Sequence, residues 1–69
     1  MTNNIPDSHQ AQPLFIRRRH LPEFTGLSAS SIQRLEAAGE FPARRKLGPG
    51  TVGWKTSEVI AWAEARERA

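Results

Sequence analysis

The 69-residue chain contains no cysteine. Neither disulfides nor thiolate-ligated zinc can staple its fold, so stability has to come from packed apolar side chains. Long apolar runs are also missing. No window approaches the ~18 residues of a membrane helix, and residues 1–13 lack the apolar stretch behind a basic start that marks a secretory leader. The expectation is a soluble, cytoplasmic protein. The two histidines, His9 and His20, lie apart with no third ligand, so no metal site is expected. No serine is paired with a base and an orienting acid. A chain this short also has little room for an enclosed cavity of the few hundred cubic ångströms that ligand sites usually need. Together these absences speak against an enzyme, a cofactor and a small-molecule substrate.

What is present is an uneven charge. The net charge of +3 is concentrated in the middle of the chain. Between positions 13 and 55 eight cations (Arg17, Arg18, Arg19, Arg34, Arg44, Arg45, Lys46, Lys55) face three anions (Glu23, Glu36, Glu40), whereas each flank carries a net −1. A surface-acting module with a polyanionic partner fits this distribution.

Residues 1–13 are polar, contain two prolines and show no periodic apolar face, which predicts a disordered tail ahead of one domain over 14–69. Leu14-Phe15-Ile16 reads as an edge strand. Leu21, Phe24 and Leu27 recur every three residues, and Pro22 fits only a first turn, so a short helix is predicted at about 20–25. Gly26 supplies a left-handed stop, and Ser28 is placed to cap a second helix by accepting from the amide of Ser31. That second helix is predicted over about 29–38, with Ile32 and Leu35 inward, Gly39 just past its end and Pro42 confirming the stop. Two extended runs then flank Gly48-Pro49-Gly50, a cluster that turns a hairpin. A last helix is expected to start with Thr56 or Ser57 as its cap and to turn Val59, Ile60, Trp62 and Ala63 inward. Trp54, Trp62 and Phe41 fall on inward positions and read as core.

The order Thr25-Gly26-Leu27-Ser28, Ile32, Leu35, Gly39-Glu40-Phe41-Pro42, Leu47-Gly48, Gly53-Trp54 and Ser57-Glu58-Val59 with Trp62 resembles the AlpA family of phage and prophage regulators. The resemblance covers about residues 16–66. It implies a mainly α fold with a small β-hairpin wing, a three-helix winged helix-turn-helix of the MerR-like or excisionase-like kind. It also implies DNA binding, with the second helix in the major groove and the wing beside it, used to control integration or excision genes or to shape the DNA. The chain departs from the pattern at Ala29, where relatives usually have a basic residue, and at Gln33, where they usually have an aromatic one. Where Arg45 stands relatives often carry an apolar residue, so Arg45 either points to solvent or lies along the core with its head exposed.

On a 3.6-residue helix anchored by Ile32 and Leu35, the opposite face is formed by Ser30, Gln33, Arg34 and Ala37, with Ala29 at one margin. Arg34 can fork onto guanine or clamp a phosphate, and Gln33 can pair with adenine. No acidic residue stands at i+3 or i+4 from Arg34 to occupy it. Ser28, Ser30 and Ser31 offer short donors to phosphates, and strand alternation puts Arg44 and Lys46 on one side of the wing, with Arg45 and Lys55 as further basic candidates. Residues 17–19 could be a phosphate-binding stretch or a solvated face. The expected partner is double-stranded DNA, bound by neighbouring copies or beside a recombinase, since one such module buries too little surface for tight specific binding and the chain has no spare helix for a stable dimer. The leading reading is a sequence-specific transcriptional regulator. An excisionase-like factor, or a module turned against an acidic protein surface, are the alternatives.

Overall fold

The computed structural model describes residues 12–69; the tail expected over 1–13, and His9 with it, falls almost wholly outside them. In chain order the elements are β1 (Phe15–Ile16), a 3-10 turn (Arg18–His20), α1 (Leu21–Thr25), α2 (Ala29–Ala37), β2 (Arg45–Gly48), β3 (Thr51–Lys55) and α3 (Thr56–Glu64). Three helices and a three-stranded antiparallel sheet result, an arrangement compatible with a winged helical fold. The sheet order is β1-β3-β2, with Ile16 opposite Trp54 on one side of β3 and Lys46 opposite Val52 on the other.

Local chemistry explains the helix pair. Pro22 near the start of α1 has no amide to lose, and the three residues before the helix tighten into a 3-10 turn closed by the His20 amide on the Arg17 carbonyl at 2.9 Å. Gly26 ends α1 with φ 81° and donates to the Pro22 carbonyl at 2.7 Å. Thr25 Oγ1 then accepts from the Leu27 amide at 3.1 Å, and Ser28 Oγ accepts from the Ser31 amide at 3.1 Å, which starts α2 as expected. At the far end the amides of Gly39 and Glu40 donate to the carbonyls of Glu36 and Leu35, at 3.0 and 2.8 Å. With Gly39 at φ 73°, this is a Schellman closure.

The core gathers Ile16, Leu21, Ile32, Phe41, Trp54 and Val59, with Leu27, Leu35 and Trp62 packed half-buried against it. Trp54 is fully enclosed at the centre of the sheet. Trp62 meets Phe41 edge-on, with centroids 4.9 Å apart, and donates its indole N–H to the Glu40 carbonyl at 2.7 Å, tying α3 to the loop after α2.

Four expectations need correction. Leu14 lies outside β1 and is 81% exposed. Phe24 is 38% exposed, because a five-residue helix buries one side only and Leu21 takes it. Ala63 is exposed, since Val59 and Trp62 suffice to seat α3. Neither Thr56 nor Ser57 caps α3: Lys55 stands at the cap position without a side-chain bond. Thr56 is buried and is used instead to pin the chain before β1, its hydroxyl donating to the Pro13 carbonyl and its amide to the Leu14 carbonyl.

Candidate functional site

The outer face of α2 is presented as the periodicity requires. Ala29, Ser30, Gln33, Arg34 and Ala37 are exposed while Ile32, on the other side, is buried. The first turn is knitted by hydroxyls: Ser28 Oγ donates to Ser31 Oγ at 3.0 Å and lies 3.3 Å from Ser30 Oγ. Arg34 Nη2 donates back to Ser31 Oγ at 3.2 Å, so its guanidinium is held along the N-terminal half of the helix without meeting a carboxylate. Among the described residues the two ion pairs are Arg18 with Glu36 and Arg45 with Glu58; Arg34 belongs to neither.

The chain after α2 brings Arg44 back beside this helix. Arg18, Gln33, Glu36, Phe41 and Arg44 line one groove of about 670 Å³. Lys46, directly across from Val52, leaves the sheet on the face that also carries Trp54, the face the helices cover. Gln33 and Arg44 therefore share one groove, with Arg34 next to Gln33 on α2 and Lys46 two residues beyond Arg44 on the wing strand.

Arg45 and Lys55 do not join them. Arg45 pairs with Gly53, and Lys55 with Phe15, so both project from the opposite sheet face. Of the two placements open to Arg45, the structure takes the exposed one and commits the side chain to Glu58 on α3. Nε donates to Oε1 at 3.4 Å and Nη2 to Oε2. This hydrogen bond from Arg45, opposed by partial desolvation and helped by the charges of Arg45 and Lys55, holds the Glu58 carboxyl below the usual carboxylate range. The same bond pushes the Arg45 guanidinium up.

The groove also takes in Arg18, from the stretch left open between a phosphate contact and a solvated face. Arg18 stacks its guanidinium 4.9 Å from the Trp54 ring centre and reaches Glu36 at 3.5 Å, so it lies between sheet and α2 and offsets the one carboxylate in the groove. The only sequence signal for it was its place in an arginine run. A further groove of about 570 Å³, walled by Phe15, Ile16, His20 and Phe24 among others, contains no nucleophile beside a base. His20 Nε2 accepts from Arg19 Nε at 3.2 Å, and no group of three metal-ligating side chains occurs among the described residues. Nor is any helix among them long and apolar enough to cross a membrane.

Comparison with known proteins adds two findings. A family model described as Prophage CP4-57 regulatory protein (AlpA) matches residues 14–67. An uncharacterized protein, ORF88, of Enterobacteria phage P4 is 40% identical over 62 residues, which cover 90% of this chain and 68% of that protein.

Proposed function

The chain belongs to the AlpA family of prophage regulatory proteins, and we propose that it regulates transcription by binding duplex DNA sequence-specifically, as a winged helix-turn-helix with α2 in the major groove and the β2–β3 wing on the flanking backbone. The observation that carries this reading is an exposed polar helix face beside a basic residue that leads into the wing: Gln33 of α2 and Arg44 line one groove, Arg34 is exposed next to Gln33, and Lys46 is exposed on the wing strand that follows. An α-helix with its side chains is about 10–12 Å across, and the major groove is about 12 Å wide.

The roles follow from donor geometry. Arg34 forks onto the two acceptors of a guanine edge, and Gln33 pairs with an adenine edge, each contact supplying about 1–3 kcal/mol of base discrimination. Ala29 offers a methyl to a thymine methyl. Ser28, Ser30 and Ser31 donate to phosphates at the start of α2, where the helix N-terminus favours an anion. Arg44 and Lys46 hold the flanking backbone and set register without reading sequence. Arg45 and Lys55 contribute to the overall field. Arg18 keeps Glu36 from repelling the duplex. A module of this kind buries roughly 600–1,000 Å² on DNA, so several copies side by side supply the affinity that one does not.

Binding to the chain's own upstream DNA and to scrambled duplex over a salt series tests this. Affinity should fall with salt on a log–log slope that reflects roughly four to six phosphate contacts, with a retained preference for the upstream sequence. Arg34→Ala should reduce the preference, and Lys46→Ala should reduce affinity and slope on both duplexes alike. Equal affinity for the two duplexes at every salt would refute sequence-specific recognition.

A further inference from the structure

The arginine run 17–19 follows β1 and, apart from Arg18's place in the α2 groove, has no part in the interface proposed above. The fold turns it against the wing: Arg17, Arg18 and Arg19 wall a concavity of about 230 Å³ whose other side is Gly50 and Val52. The reason is the shortness of β1. Its pairing with β3 runs from Lys55 to Trp54, and beyond that the edge of β3 has no strand partner, so the Val52 carbonyl accepts from Arg17 Nε at 3.0 Å. That bond anchors the guanidinium and leaves its two terminal amino groups without a partner among the described residues. Among the described residues Arg19 makes one side-chain hydrogen bond, to its neighbour His20. Arg18 is fixed between Trp54 and Glu36 and walls both this concavity and the α2 groove. Lys46 stands directly across from Val52 on the next strand.

Three arginines wall a hollow that no carboxylate among the described residues lines, and their like charges favour the entry of an anion. The anion this geometry suits is a phosphate oxyanion, which a planar guanidinium fork meets with two parallel hydrogen bonds. We infer that this concavity is a phosphodiester seat, in which Arg17 and Arg19 grip a backbone phosphate of the duplex and Arg18 acts as a positioning residue that joins the seat to the groove of Gln33 and Arg44. The inference rests on the DNA-binding reading and carries the contact surface from α2 to the free edge of the wing.

The test is titration of the full chain with duplex DNA of scrambled sequence, because the phosphate contribution is independent of sequence. Arg17→Gln and Arg19→Gln are each compared with Arg68→Gln, which removes the same charge near the C-terminus. Losing one phosphate contact lowers the log–log salt slope by about 0.9, so the fall in affinity between about 50 and about 200 mM salt becomes roughly 3.5-fold smaller for each seat variant. Arg68→Gln keeps the wild-type slope. If Arg17→Gln unfolds the chain, Arg19→Gln decides, since among the described residues its side chain bonds only to the adjacent one. Wild-type slopes in the Arg19 variant alongside a reduced slope in Lys46→Ala would empty the seat and leave the DNA reading standing. An equal loss in Arg68→Gln would replace the seat by a diffuse field. A wild-type chain that binds no duplex at low salt would overturn both proposals.

Discussion

Ser28 caps α2 and is proposed to meet a phosphate, two tasks that a pair of substitutions can separate. Its hydroxyl accepts from the Ser31 amide at 3.1 Å and so starts the helix proposed to enter the groove. Ser28→Ala removes that acceptor, which at a helix N-cap costs about 1 kcal/mol. For a domain of about 60 residues the cost corresponds to roughly 8 °C in Tm. Ser28→Asp restores the acceptor and adds a negative charge that the helix N-terminus favours, so its Tm should return to within a few degrees of wild type. On DNA the order should invert: the aspartate stands where phosphates are proposed to sit, and Ser28→Asp should bind duplex more weakly than the less stable Ser28→Ala. Thermal melts followed by the fluorescence of Trp54 and Trp62, with anisotropy titrations of a labelled duplex, give both readings on the same samples. A Ser28→Ala melt identical to wild type would refute the cap, and Ser28→Asp binding as tightly as wild type would remove the N-terminus of α2 from the interface.

Three other outcomes are expected. Gly39→Ala places a β-carbon at φ 73° in the closure of α2 and should cost about 1 kcal/mol, measured by urea denaturation. Trp62→Phe deletes the indole donor to the Glu40 carbonyl while keeping the edge contact with Phe41, and should cost about 1 kcal/mol by the same assay. Because folding lowers the Glu58 pKa, the stability it contributes is full above the ordinary carboxylate range and lost as pH falls below it, so Glu58→Gln should flatten the acid limb of the stability profile. The same variant removes an anion and releases Arg45, and should bind duplex more tightly at low salt with the difference vanishing at high salt.

The parts of this fold that were legible in the sequence are those whose causes lie within a few residues. Ser28 and Ser31 are three apart, Gly39 closes the turn it follows, and Gly48-Pro49-Gly50 turns its own hairpin, so position and residue type sufficed. The outward face of α2 followed from Ile32 and Leu35 on a 3.6-residue repeat. What escaped depends on contacts across longer stretches. The cap of α3 was misread because Thr56 spends its hydroxyl on the Pro13 carbonyl, 43 residues away. Alternation set Lys46 apart from Arg45, but which sheet face each takes needed the register that sets Arg45 against Gly53 and Lys46 against Val52, where a one-residue slip would exchange them. Arg18 offered no local sign of Trp54 or Glu36, which only the folded sheet brings to it.

The most direct test of the account is a backbone amide map of the isotopically labelled protein titrated with its upstream duplex. Shifts concentrated at Ser28, Ser30, Gln33 and Arg34 of α2 and at Arg44 and Lys46, with α3 beyond Val59 unmoved, are the predicted result. Shifts confined to α3 and the outer sheet face around Phe15 and Lys55, or a spectrum the duplex leaves unchanged at low salt, would contradict it.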